Sequence, residues 1–83
     1  IALSFSADGL YLYANDNYHF HVYKFRVSDG SQIWDTYGGP TSKDPWLCVD
    51  ADGNAYTSQN DFYIARYDSG TGAILESPFP VRL

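Results

Sequence analysis

Apolar and polar positions along this chain fall into short runs with turn residues between them. The runs are IALSF (1–5), GLYLYA (9–14), YHFHVYKFRV (18–27), SQIWDTY (31–37), WLCVDA (46–51), NAYTS (54–58), DFYIARYD (61–68) and AILES (73–77). Each is rich in aromatic and β-branched residues. The breaks carry Asp8-Gly9, Asp29-Gly30, GGPTSKDP (38–45), Asp52-Gly53, Gln59-Asn60-Asp61 and Gly70-Thr71-Gly72. Eight short strands and no helix are therefore expected. Several runs are apolar on both faces rather than on one. In DFYIARYD, Phe62 and Ile64 point one way and Tyr63, Ala65 and Tyr67 the other. A sheet covered on both faces reads this way.

The runs repeat. FSADG (5–9) lies over VDADG (49–53) at an offset of 44, with four of the five positions alike in kind. YKF (23–25) lies over ARY (65–67) and Gly30 over Gly72 at 42, and Ile33-Trp34 over Ile74-Leu75 at 41. A longer second hairpin in the first copy, around NDNYHF (15–20), accounts for the shrinking offset. Each copy reads strand, Asp-Gly bend, strand, polar bend, long strand, Gly bend, strand. A four-stranded unit of about 40 to 45 residues has the size of one β-propeller blade. The expected fold is all-β, two four-stranded antiparallel blades over residues 1–40 and 41–83, the second with an extended tail. A β-sandwich of the same eight strands is the alternative.

The stretch KFRVSDGSQIWDTYGGPTSKDPWLCVDADGNAYTS (24–58) resembles the bacterial β-propeller repeat called SBBP. Its marks stand in order at Lys24, Gly30, Ile33-Trp34, Tyr37-Gly38-Gly39, Asp44, Val49-Asp50, Gly53-Asn54 and Tyr56-Thr57. IARYDSGTGAIL (64–75) is similar to NHL-type and quinoprotein-like blades. After Leu75 the likeness ends, since ESPFPVRL (76–83) lacks Tyr-Gly-Gly. The resemblance implies a propeller scaffold in a secreted or cell-surface protein of a bacterium or archaeon, and it implies no catalytic residues.

Composition narrows the function. A net charge of −5 argues against nucleic acid and anionic membranes as partners. No apolar run reaches the roughly 20 residues that a membrane-spanning helix needs. Cys48 is the only cysteine, so no internal disulfide is available. The first residue is Ile1 rather than Met, so the chain is expected to be processed or part of a longer product, with targeting information elsewhere.

Candidate chemistry is sparse. Asp50, Asp52 and Asn54 alternate around Gly53 and invite a calcium loop. Yet an EF-hand loop places Gly sixth and a Glu twelfth, whereas here Gly53 is fourth from Asp50 and Asp61 is twelfth. A hairpin bend is the favoured reading, with the Asp50 and Asn54 side chains tying down nearby amides. His19 and His21, with Asp16 in reach, give two corners of a metal site and no obvious third. Both are expected at the surface or between blades. Cys48, between Leu47 and Val49, is expected to be a buried, inert thiol. Trp34, Phe25, Tyr67, Ile64 and Cys48 are expected to pack between blades. Trp46 and Tyr37 are the candidates for surface contact with a ligand.

Each blade has two apolar faces, and two blades leave two outer faces bare. A lone monomer is therefore not expected to be stable and soluble. Other blades of a longer chain, or identical copies closing a ring or running on as a fibre, would cover the faces. The tail SPFPVRL (77–83) is expected to lie extended on a neighbour. The favoured function is an extracellular structural or binding module for adhesion, surface assembly or recognition of a glycan or protein, not an enzyme and without a cofactor. A fragment of a propeller enzyme, such as a quinoprotein-like dehydrogenase or a lyase, is the alternative. It needs convergent acids, cations or a metal at a ring centre, and the chain offers five cations and no repeated polar signature.

Overall fold

The computed structural model describes residues 2–16, 18–19, 21–37, 46–59 and 63–76. Strands β1 (Ala2–Phe5), β2 (Tyr11–Asp16), β3 (His21–Arg26) and β4 (Gln32–Tyr37) form one four-stranded antiparallel sheet. Strands β5 (Leu47–Val49), β6 (Ala55–Gln59), β7 (Tyr63–Tyr67) and β8 (Ile74–Glu76) form a second. In both sheets the spatial order is the sequence order, so every connection is a local bend. No helix occurs among the described residues. The protein is all-β, as its short runs between turn residues imply. The expected tail, residues 77–83, lies outside the described residues.

Turn chemistry sets the strand ends. The run expected over 18–27 enters the ladder only at His21. Asp16 Oδ1 accepts the amides of Tyr18 at 2.8 Å and His19 at 3.3 Å, which commits both residues to a turn. Asp29 does the same for Ser31, and Asp68 for Gly70 and Thr71. Gly9, Gly30, Gly53 and Gly72 all have positive φ, between 73° and 85°.

The two sheets are one unit written twice, down to an irregularity. Each third strand slips register against the fourth at the same place, between Lys24 and Phe25 and between Arg66 and Tyr67. Superposing the ladders gives an offset of 44 in the first strand, 43 in the second and 42 in the third and fourth. Two expectations change. Trp34 stands opposite Lys24 and Glu76 opposite Arg66, so Trp34 corresponds to Glu76 at 42 rather than to Leu75 at 41. The extra length of the first copy is also divided. One residue sits in its first bend (Phe5 to Leu12 against Val49 to Ala55) and one in its second (Asp16 to His21 against Gln59 to Tyr63).

The sheets pack face to face around Tyr13, Val22 and Trp34 of the first and Ala55, Ala65 and Tyr67 of the second. Tyr11, Leu47 and Val49 flank this core. Tyr13 meets Trp34 edge-on with ring centroids 6.1 Å apart, the geometry that ring quadrupoles favour. The small Ala55 and Ala65 leave room for these rings. Burial of a large apolar side chain contributes about 1.5–3 kcal/mol, against about 0.5–1.5 kcal/mol for an uncharged hydrogen bond. The rings therefore supply most of the cohesion, and the hydrogen bonds across the seam fix how the sheets sit.

Candidate functional site

The seam between the sheets has a direction. Side chains of the first sheet donate, and atoms at the bends of the second accept. Tyr13 Oη donates to the Gly53 carbonyl at 2.7 Å, and Trp34 Nε1 to the Ser69 carbonyl at 2.9 Å. Lys24 Nζ reaches the same Ser69 carbonyl at 2.9 Å and Ser69 Oγ at 3.2 Å. Thr36 Oγ1 donates to the Gly72 carbonyl at 2.6 Å. Lys24 is buried, only 6% exposed, with its ammonium 4.2 Å from the centre of the Tyr11 ring. Carbonyl acceptors and a π-face together offset the desolvation of the charge.

Two glycines make this approach achievable. A Cβ at Gly53 would stand 2.5 Å from Ser69 Oγ and 3.2 Å from Tyr13 Oη. At Gly72 it would stand 2.5 Å from the Trp34 ring and 2.7 Å from Thr36 Oγ1. Beside the Asp-Gly bends the seam opens as a cleft of about 170 Å³ between Asp8 and Asp52, with Tyr11, Tyr13 and Lys24 in its wall. The Ser6 hydroxyl and then the Leu10 amide hold the Asp8 carboxyl below the usual carboxylate range.

Asp50, Asp52 and Asn54 form a bend in which the side-chain oxygens of Asp50 and Asn54 accept hydrogen bonds. Asp50 Oδ1 accepts the amides of Asp52 and Asn54, both at 3.0 Å, and Oδ2 accepts the Tyr56 hydroxyl at 2.8 Å. Burial pushes the Asp50 carboxyl up, and these donors outweigh it, so it lies below its ordinary value. Asn54 acts farther away than expected: its Oδ1 accepts the Ser69 amide at 3.0 Å and ties the first bend of the second sheet to its last. No group of three or more His, Cys, Asp or Glu able to hold a metal occurs among the described residues.

The opposite face of the first sheet is open. Leu3 and Phe5 are about 60% exposed. His21, Tyr23 and Phe25 stack along β3 at centroid spacings of 5.8 and 5.9 Å, and Tyr37 meets His21 edge-on at 5.7 Å. His21 Nδ1 lies 3.8 Å from Asp35 Oδ1, too far for a hydrogen bond. His19 pairs instead with Asp16, Nδ1 to Oδ2 at 2.9 Å, so the two histidines do not share a site. Tyr37 belongs to this open face. Trp46 lies ahead of β5, half-buried, its amide 3.4 Å from Ser58 Oγ.

Of the residues expected between blades, Trp34 and Tyr67 lie in the seam, and Phe25 lies on the open face. Ile64 is buried on the outer face of the second sheet. Cys48 is exposed, contrary to the buried thiol expected from its neighbours. The short β5 turns Leu47 and Val49 toward the core and so points Cys48 outward. Sequence reasoning missed Lys24, Ser69 and Gly72 as seam residues. The signal was present in the cation that recurs at Lys24 and Arg66 within aromatic strands, which marked the repeat and also marks the position that reaches across.

No family model, curated protein or solved structure matches the chain.

Proposed function

We propose that the chain is a pair of propeller-type blades that serves as an extracellular structural and binding module, assembling with further blades or with copies of itself. One observation carries this reading. The open face of the first sheet holds the ladder positions that the second sheet buries in the seam. Leu3, Leu12, Ala14, Tyr23 and Phe25 correspond to Leu47, Ala55, Thr57, Ala65 and Tyr67. A face of the kind that is covered once within the chain is exposed a second time at its end, and exposed apolar area of that sort marks an interaction surface. The SBBP-like pattern at 24–58 agrees with this reading and motivates a bacterial or archaeal secreted or cell-surface setting. The aromatic row His21, Tyr23, Phe25 and Tyr37 suits adhesion or stacking on a ligand on the same face.

In stacked repeats stability is a sum of unit terms and nearest-neighbour terms. Two copies of the chain joined in tandem would bury three seams where one copy buries one. The tandem protein is expected to melt at a clearly higher temperature than the single chain. Equal melting temperatures would overturn the reading.

A further inference from the structure

We propose that the paired bends after β1 and β3 bind a small organic carboxylate with an apolar body, held by Arg26 and Ser28. A cleft of about 390 Å³ opens there, lined by Gly9, Leu10, Tyr11, Arg26, Val27 and Ser28. Ligand sites span about 300–1,000 Å³ and combine apolar walls with a few placed polar groups. Leu10 and Val27 are 59% and 48% exposed. The Val27 amide donates to the Leu10 carbonyl at 3.0 Å, which holds the two walls side by side. The cleft does not include the aromatic row of the open face, so this site and the assembly reading stand or fall separately.

The donors are oriented and unused. Arg26 Nη1 donates to Asp29 Oδ2 at 3.3 Å and to Ser31 Oγ at 3.2 Å. These bonds fix the guanidinium plane, while its Nε and Nη2 groups meet no acceptor among the described residues. That edge is a planar fork of N–H groups, the geometry that a carboxylate fills with two bonds. The Ser28 amide and hydroxyl likewise donate to nothing among the described residues. No carboxylate lines the cleft. Of the neighbouring acids, Asp8 is taken up by Ser6 and Leu10, and Asp29 by Ser31 and Arg26. These acids and a net charge of −5 disfavour a doubly charged phosphate and leave a monoanion. Asp29 offsets much of the Arg26 charge, so the fork and the apolar walls carry the affinity.

The repeat supplies a comparison. Arg26 stands in the first sheet where Asp68 stands in the second. Each carbonyl accepts the amide of its bend glycine, Gly30 at 2.8 Å and Gly72 at 2.9 Å. Beside Asp68 the bend takes a cation, with the Lys24 ammonium on the Ser69 carbonyl at 2.9 Å. Val27 has the place of Ser69 in the first sheet, and the charge beside it is reversed. An ammonium is repelled there and an anion is drawn in.

Titration of the full chain with phenylbutyrate, followed by amide proton and nitrogen chemical shifts, tests the site. The shifts are expected to centre on Gly9, Val27 and Ser28 and to saturate with a Kd of about 1 mM. Phenylbutanol, the same body without the charge, is expected to bind about tenfold more weakly, and phenylbutylamine more weakly still. Arg26→Lys keeps the charge and loses the fork, and Leu10→Ser removes one apolar wall. Each is expected to weaken phenylbutyrate about fivefold or more. Both side chains are exposed, so the fold is expected to persist, and unchanged resonances away from the bends check it. Equal binding of the acid and the alcohol, or an Arg26→Lys variant with an unchanged Kd, overturns the carboxylate assignment. Shifts that gather on Tyr23, Phe25 and Tyr37, or that fail to saturate up to about 10 mM, overturn the site itself.

Discussion

Lys24 and Ser69 lie 45 residues apart, and the lysine ammonium ends on the serine's carbonyl at 2.9 Å and its hydroxyl at 3.2 Å. A charge from the middle of one sheet thus anchors the last bend of the other. Truncation removes the ion together with its two hydrogen bonds to Ser69 and its contact with the Tyr11 ring. Lys24→Ala is expected to cost about 1.5–3 kcal/mol, the range for a hydrogen bond to a charged group. Urea unfolding measures it, and an unchanged midpoint would show that Lys24 does not hold the sheets together.

Gly30 and Gly72 have the same backbone, φ 73° and 76°, and opposite surroundings. A Cβ at Gly30 meets open space, whereas at Gly72 it meets the Trp34 ring and the Thr36 hydroxyl. Gly30→Ala should cost only the left-handed strain, about 1–2 kcal/mol. Gly72→Ala should cost a further 1–3 kcal/mol or so from overpacking. Equal losses in the two variants would mean that the seam is looser than these distances indicate.

Acid should destabilise the fold within a defined window. Asp8, Asp16, Asp29, Asp50 and Asp68 all titrate below the ordinary aspartate value. The leading causes are the Ser6 hydroxyl for Asp8, the His19 ring for Asp16, the Ser31 amide for Asp29 and the Thr71 amide for Asp68. A depressed folded-state value adds stability that is fully present above the unfolded value, about 3.9, and is lost as pH falls through the folded one. Urea midpoints should be flat from pH 7 to about 5 and fall below about pH 4. Asp68→Asn should shrink that fall. A midpoint that is level down to pH 2.5 would contradict the linkage.

Cys48 should be reachable yet sluggish. Its side chain is exposed, while partial desolvation, and then the Asp50 carboxylate, push the thiol above its ordinary value. The thiolate is the nucleophile, so alkylation of dilute protein at pH 8 should run slower than that of an unstructured cysteine peptide. Asp50→Asn should narrow the gap. A rate equal to the peptide's would remove the case for a perturbed thiol.

Local chemistry was legible because it acts over a few residues. The Asp-Gly bends at Gly9, Gly30 and Gly53 and the runs between them placed eight strands, and the matched bends revealed a unit written twice. Boundaries moved where a side chain competed with the ladder, as Asp16 does by taking the amides of Tyr18 and His19. The faces were not legible. In YIARY (63–67) and LYLYA (10–14) both sides carry apolar residues, so a period of two names two faces without ranking them. Packing of one sheet on the other made the choice. It buried Lys24 against Ser69, turned Cys48 outward and left Leu3, Phe5 and Phe25 on the open side. Alternation and turns belong to the strand itself, whereas which face is buried depends on the shape of a surface 30 to 45 residues away along the chain.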